Sequence, residues 1–263
     1  MESSCRIAAA QTVPVAGDVV ANVRQHLHLI ETAAAEQVGL LVFPELSLTG
    51  YEPALGPALA LTIDDARLEP LKAAAHAHDM TIVVGAPLKW EGKLYLAALV
   101  IMPSGEVLPY TKHHLGAFRR EDNPDGDIPP PEDAFFSPGT LNPQLEWRGQ
   151  KLAFSICADG AYPAHTQAAG ERGATMYLSS QFAIATHMAF KMARLKQAAR
   201  RYGFTVLFAN YGGATGGLES AGGSCVRTAD GEAIARLPEA GCGLAIAWDD
   251  GRRWTGKAVL SKR

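Results

Sequence analysis

The chain has 263 residues, 48% of them hydrophobic and 19% charged, which suits one large globular domain with a substantial core better than two small ones. A formal charge of -3, without long runs of like charge, gives no field that would draw in nucleic acid or anionic lipid. No stretch of about 18 apolar residues offers a membrane span, so the expected partner is a small molecule or another subunit.

Apolar periodicity orders the elements along the chain. A short strand is expected over Arg6 to Val13. Asp18 then caps an amphipathic helix whose apolar positions, Val19, Val23, Leu27, Ile30, Ala34 and Val38, recur at steps of three and four before Gly39. A buried strand over Leu40 to Phe43 stops at Pro44, a second helical pattern covers Ile63 to Ala77, and another strand follows over Thr81 to Ala86. Two hairpins come next, one with strands Leu94 to Ile101 and Glu106 to Tyr110 around Pro103-Ser104-Gly105, the other turning at Arg148-Gly149. Between them the polar, proline-rich segment Gly116 to Pro131 exceeds an ordinary connection and is expected to act as a lid. Beyond Cys157 the pattern predicts a helix at Ala164 to Arg172, a strand at Met176 to Ser179, a helix at His187 to Arg201 and a strand at Phe204 to Ala209. Two final strands, near Cys225 and Ile234, flank Ala229-Asp230-Gly231. Strand-helix units mixed with hairpins, with helices enough for one face of each sheet, predict a two-sheet αββα sandwich in a single domain spanning 1–263, with a doubly wound single sheet as the alternative.

The four cysteines, Cys5, Cys157, Cys225 and Cys242, form no C-x-x-C pair and are expected as free thiols. The N-terminal MESSCRIAAAQTVPV, acidic at Glu2, lacks a charged-then-apolar signal pattern, so a reducing cytoplasm is the expected location. The i, i+2 pairs His26/His28 and His76/His78 point to different sides of their helices and do not share a metal, and no glycine run has the form of a phosphate loop. Neither a metal nor another cofactor is expected.

Three reactive side chains lie just past the ends of apolar runs: Glu45 after LLVF, Lys112 after EVLPYT, and Cys157 after KLAFSI. Taken singly, each fits an ordinary reading as a solvated glutamate, a surface lysine and a core cysteine. Their positions at strand tips, where α/β folds gather ligands, let them converge. A thiol is mostly protonated at neutral pH, so Cys157 needs a base, which Glu45 supplies. Lys112 and the backbone N–H of Ala158 are candidate donors for the oxyanion that grows when such a thiolate adds to a carbonyl.

The wording around these residues adds a resemblance. FPELSLTGYEP at Phe43 to Pro53, YTKHHL at Tyr110 to Leu115 and Cys157-Ala158-Asp159 occur in this order, with FFSPG at Phe135 to Gly139, FANYGG at Phe208 to Gly213 and GGSCVRTADG at Gly222 to Gly231. Together they resemble the nitrilase superfamily, the carbon-nitrogen hydrolases, over nearly the whole chain. The resemblance implies a catalytic Glu45, Lys112, Glu132 and Cys157 set, Glu132 standing just before FFSPG, with Glu121 as the other candidate for the second glutamate. Tyr51, Ala158 and Gln181 are expected to contact the substrate, and Asp159 to support the turn through backbone hydrogen bonds. The implied activity is hydrolysis of a small amide through a Cys157 thioester by a homodimer or larger homo-oligomer. A nitrilase, an N-carbamoyl amidohydrolase and a non-catalytic metabolite-binding relative are the alternatives. Two departures from the family pattern, DGAYPAH after Cys157 and AARRYG before the Phe208 strand, point to unusual substrate recognition and subunit contacts.

Overall fold

The computed structural model describes residues 5–251 and 253–261; the acidic start at Glu2 lies outside them. Its first half holds β1 (Arg6–Gln11), α1 (Val19–Ala35), β2 (Leu40–Val42), the short α2 (Gly56–Leu59), α3 (Glu69–Ala77) and the strands β3 (Thr81–Trp90), β4 (Lys93–Ile101) and β5 (Val107–Thr111). The second half holds β6 (Leu145–Trp147), β7 (Gln150–Ile156), α4 (Pro163–Glu171), β8 (Met176–Ser180), α5 (Ala185–Tyr202), β9 (Thr205–Ala209), β10 (Cys225–Arg227), β11 (Ala233–Arg236), β12 (Cys242–Asp249) and β13 (Trp254–Ser261).

These strands form two sheets, ordered β13-β12-β1-β2-β3-β4-β5 and β11-β10-β9-β8-β7-β6. Each has a parallel core of three strands, β1-β2-β3 and β7-β8-β9, continued by antiparallel neighbours on both sides. The period of two along a strand assigns side chains to layers. Ile7 and Ala9 of β1 face the other sheet and join Val42, Val83, Phe154, Leu178 and Leu207 in the central core. Ala8 and Ala10 face outward, where Leu29, Ile30 and Ala33 of α1 and Leu71 and Ala75 of α3 cover them. On the far side, Tyr177, Val206 and Phe208 pack under Ala169 of α4 and Leu195, Ala198 and Ala199 of α5. The result is the αββα sandwich that the sequence predicts, not one doubly wound sheet. Each large aliphatic side chain sealed in these layers contributes roughly 1.5–3 kcal/mol relative to exposure.

Local chemistry explains most element boundaries. Asp18 accepts the Ala21 amide at 2.9 Å and caps α1. Gly203 ends α5 in the left-handed region, at φ 75°, its N–H returning to Ala199. The helix expected from Ile63 begins only at Glu69. Asp65 captures both the amide and the guanidinium of Arg67 in a tight turn, and Pro70 suits a first helical turn rather than an interior. β3 outruns its expected end at Ala86, passing through Pro87, because β4 pairs with it as far as Trp90; on its other side β2 stops pairing at Val83, and a bridge from Leu61 to Leu88 follows.

The larger correction concerns the C-terminal region, where the strands near Cys225 and Ile234 are not the last. After β11 the chain leaves the second sheet, β12 joins the first beside β1, and β13 follows as its edge. Gly243, Ala245 and Ala247 give β12 little intrinsic strand preference; its burial between β1 and β13 decides the outcome.

Candidate active site

The tips of β2, β5 and β7 meet between the sheets. Beyond β2 the chain turns through Pro44 and Glu45, with Leu46 at φ 51°, and passes directly over β3 at Gly85. A Cβ on Gly85 would stand 2.2 Å from the Leu46 nitrogen and 2.5 Å from the Pro44 oxygen, so this crossing requires glycine. Ser47 fastens the turn. Its Oγ accepts the Gly85 amide at 3.0 Å and meets Nε2 of the buried His26 at 2.9 Å, while Nδ1 of that ring reaches the Asn22 carbonyl. Burial pushes His26 down to about 4, so the ring stays neutral and serves as a strut. From the opposite sheet, Ser180 donates to the Phe43 carbonyl at 2.8 Å and Tyr211 donates to the Glu45 carbonyl.

Lys112 follows β5, its amide still on the β4 ladder through Leu96 at 2.8 Å. Its ammonium donates to Oε1 of Glu45 at 2.6 Å and Oε1 of Glu132 at 2.7 Å, and all three side chains are at most 1% exposed. Glu132 is engaged through both oxygens: Oε1 also accepts from the Tyr51 hydroxyl at 2.7 Å, and Oε2 accepts the Gly116 amide at 2.7 Å. Glu121 is exposed at the cleft rim and does not contact Lys112. Glu45 is the less satisfied carboxylate, its buried Oε2 accepting no hydrogen bond among the described residues.

Burial opposes the charge on Lys112, but Glu132 and Glu45 overcome it and hold the ammonium above its usual range. Glu45 is pushed from 4.5 up to about 7, first by burial and then by Glu132, against the pull of Lys112. It is a carboxyl poised to exchange a proton near neutrality.

Cys157 begins a helical turn immediately after β7 and takes φ 41°, a left-handed conformation that costs a non-glycine residue on the order of 1–3 kcal/mol. Asp159 holds that elbow. Its Oδ2 accepts the Ile156 amide at 3.0 Å and the Tyr110 hydroxyl at 2.7 Å, and its Oδ1 accepts the His113 and His114 amides at 3.1 and 2.8 Å. One buried carboxylate thereby aligns the elbow with the strand that carries Lys112. The thiol donates to the Phe182 carbonyl at 3.5 Å. Burial raises its pKa, with Glu45 adding to the effect and Lys191 and Lys112 opposing it.

No histidine hydrogen-bonds Cys157 among the described residues. His113, His114 and His165 gather around Tyr110 and Asp159, and His187 pairs with Asp122 at 2.8 Å. Cys5, Cys157 and Cys225 are free thiols.

A cleft of about 620 Å³, within the range of small-molecule sites, opens over the group and is lined by Tyr51, Phe118, Glu132, Cys157, Ala158 and Lys191. Phe118 brings the 116–131 segment into its wall, packing edge-on to Tyr51 and stacking on His187. That segment is closed at its base by Glu132, whose amide returns to the Gly116 carbonyl at 3.1 Å. Tyr51 and Ala158 both line this cleft. Gln181 instead lines a smaller recess behind the sulfur with Lys191 and Arg194.

Sequence reading missed Lys191. Its ammonium stands 3.2 Å from the Cys157 sulfur and 2.8 Å from Oε1 of Gln181. A signal was present: three residues after Met188 and four before Leu195, Lys191 puts a charge on the inward face of its helix.

The fold and the site define a class, hydrolases that use a thiol on carbon–nitrogen bonds. The carbon-nitrogen hydrolase profile matches residues 6–250, and the chain belongs to that family. An (R)-stereoselective amidase from a Pseudomonas species is 28% identical, over 79% of this chain and 72% of its own. Among solved structures, a mutant amidase from Nesterenkonia sp. AN1, carrying the acetamide moiety of fluoroacetamide at its active site cysteine, superposes with a TM-score of 0.82. It is 27% identical, covering 94% of this chain and 91% of that one. A second mutant of the same amidase, in complex with butyramide, also gives 0.82 and 27%, over 95% and 92%. The chain is accordingly an enzyme of non-peptide carbon–nitrogen bonds, of the amidase kind. No helix among the described residues is long and apolar enough to cross a membrane.

Proposed function

We propose that the whole chain is one catalytic domain that hydrolyses a small amide to a carboxylate and ammonia, with Cys157 as nucleophile, Glu45 as acid-base, Lys112 as oxyanion donor and Glu132 as the group that positions Lys112. The observation that carries this reading is the unpartnered Oε2 of Glu45, on a carboxylate whose other oxygen is held 2.6 Å from Lys112. Glu45 takes the thiol proton as sulfur bonds to the amide carbon, and the carbonyl electrons move to an oxygen facing the Lys112 ammonium and the Ala158 amide. When the tetrahedral intermediate collapses, the C–N bond breaks and Glu45 returns the proton to nitrogen, releasing ammonia and leaving a thioester. Water then gives a proton to Glu45 and its oxygen to the acyl carbon. Thiolate departs, is reprotonated, and the carboxylic product leaves. Glu132, whose two oxygens accept three hydrogen bonds, from Lys112, Tyr51 and Gly116, and whose amide donates to the Gly116 carbonyl, suits a holding role better than a proton-transfer one.

Tyr51 and Ala158 belong to the substrate wall in this reading, and Gln181 acts from behind the sulfur. We extend the proposal to a homodimer or larger homo-oligomer, supported by the exposure of Tyr162 and Phe190, and to the cytoplasm, supported by the free thiols. Light scattering on the purified protein checks the first.

The direct test is a panel of amides, nitriles and N-carbamoyl compounds, with intact and peptide mass spectrometry of the trapped enzyme. The expected result is ammonia release from amides, with an acyl mass on the peptide holding Cys157. In Cys157→Ala the adduct disappears and turnover falls on the order of 10⁴-fold or more. Wild-type turnover in that variant would sink the assignment, and turnover confined to nitriles or carbamoyl compounds would replace the substrate class. Binding without turnover of any compound would point to a non-catalytic relative.

A further inference from the structure

The buried charges around the nucleophile do not balance without Lys191. Glu45 and Glu132 bring two negative charges and Lys112 one positive, and the Lys112 ammonium is already committed to both carboxylates at 2.6 and 2.7 Å. Passing the thiol proton to Glu45 leaves the net charge of this group at minus one but moves the negative charge from a carboxylate bonded to Lys112 onto a sulfur that Lys112 does not contact. The cation in contact with the sulfur is Lys191, at 3.2 Å. It is held there by Gln181, whose Oε1 accepts from it at 2.8 Å while Nε2 donates to Ser179 Oγ at 2.8 Å and reaches the Cys157 carbonyl at 3.5 Å. Gln181 thus spans from the Cys157 backbone to the Lys191 ammonium, fixing the cation relative to the elbow that presents the sulfur.

We propose that Lys191 is a further catalytic residue, an ammonium from α5 that contacts the Cys157 sulfur and stabilises it as a thiolate in both halves of the reaction. The inference rests on the reading of Cys157 as the nucleophile. In the first half the proton passes from sulfur to Oε2 of Glu45, the S–H electron pair stays on sulfur, and the negative charge moves from carboxylate to thiolate, where Lys191 meets it without giving up its own proton. Attack on the amide carbon converts the thiolate to a neutral thioester. In the second half, collapse of the water adduct breaks the C–S bond, and Lys191 stabilises the leaving thiolate until Glu45 returns a proton. A cation 3–4 Å from a sulfur lowers its pKa by about 1–3 units. Other charged and titratable groups face the pair from every side: Glu45 beyond β2, Lys112 beyond β5, Glu132 and Tyr51 across the cleft, Arg194 on α5, and His187 on α5 with its partner Asp122.

The test is the rate at which iodoacetamide alkylates the Cys157 peptide as a function of pH, in wild type, Lys191→Met, Lys191→Arg and Gln181→Met, read by mass spectrometry with circular dichroism as the check on folding. Lys191→Met is expected to slow alkylation about tenfold or more at neutral pH and to move its inflection about one pH unit upward or further. Lys191→Arg should restore most of the rate, and Gln181→Met, which frees the ammonium, should shift the inflection in the same direction by less. If Lys191→Met fails to fold, Gln181→Met carries the test alone. An unchanged alkylation profile in the folded variants overturns the proposal, whether or not KM changes. Because alkylation needs no turnover, this outcome is distinct from failure of the nucleophile assignment, which Cys157→Ala decides.

Discussion

Lys112 and Lys191 bring two ammonium groups to one cleft under opposite conditions. Lys112, at the tip of β5, has a side chain with 0% exposure and is bonded to two carboxylates, whereas Lys191, on the half-buried face of α5, is bonded to one neutral amide and to the sulfur itself. The first-sheet wall is a closed ionic assembly. Both oxygens of Glu132 accept hydrogen bonds, Glu45 is held through one oxygen, and even the backbone of the Glu45 turn is pinned across β3 at Gly85. The second-sheet wall is open, with Cys157 strained at φ 41° and partly exposed to the cleft. Geometry that must not move is built from buried, mutually satisfied charges. Of the groups that change charge or bonding during turnover, Glu45 belongs to the closed wall and is held there through one oxygen only, whereas Cys157 faces the cleft.

The largest predicted effect breaks the closed wall. Lys112→Met leaves Glu45 and Glu132 facing each other without a cation, and removing one partner of a buried ion pair costs about 3–5 kcal/mol. The midpoint of thermal unfolding should fall markedly, and kcat/KM by at least about 10³-fold, since the oxyanion donor goes with the charge. Lys191→Met should leave the melting temperature almost unchanged. Equal melting shifts in the two variants would dissolve the contrast between the walls.

Gly85→Ala acts on the same wall without touching a charge. A methyl group 2.2 Å from the Leu46 nitrogen forces the Glu45 turn away from β3, and such overpacking costs about 1–3 kcal/mol. A displacement near 1 Å at the carboxylate should lower kcat on the order of 10²-fold with KM less affected. Full activity in this variant would show that the turn relaxes without moving Glu45.

The same contrast governs what the sequence discloses. Glu45, Lys112 and Cys157 are legible because each ends an apolar run, and strand termini in a layered α/β fold point to a common edge. The αββα layering is legible because β1 alternates between two apolar faces and helices suffice for the outer ones. Glu132 is reached through the neighbouring FFSPG, since nothing in EDAFF by itself says that a glutamate is fully buried. Lys191 is legible only as a charge on the apolar face of α5: its position opposite the sulfur depends on how α5 rotates against β8 and β9, which long-range packing decides. β12 stays hidden for a related reason, its glycine and alanine content giving a weak local signal that burial between β1 and β13 overrides.

The smallest effect, and the one that sharpens the comparison most directly, is the position of the acid limb of kcat/KM. A carboxyl whose pKa is raised from 4.5 to about 7 is protonated below that pH, and in that form it cannot accept the thiol proton. Activity should therefore fall about tenfold per pH unit below neutrality, through an inflection near 7 rather than near 4.5. Lys112, held above its usual range by Glu132 and Glu45, stays charged across the whole profile and adds no basic limb under ordinary conditions. Glu132→Gln removes a negative charge that pushes Glu45 upward, so in that variant the limb should move toward lower pH, with a modest change in plateau. If the wild-type limb lies near 4.5, or does not move in Glu132→Gln, the closed wall does not tune Glu45, and the base must be sought on the open wall.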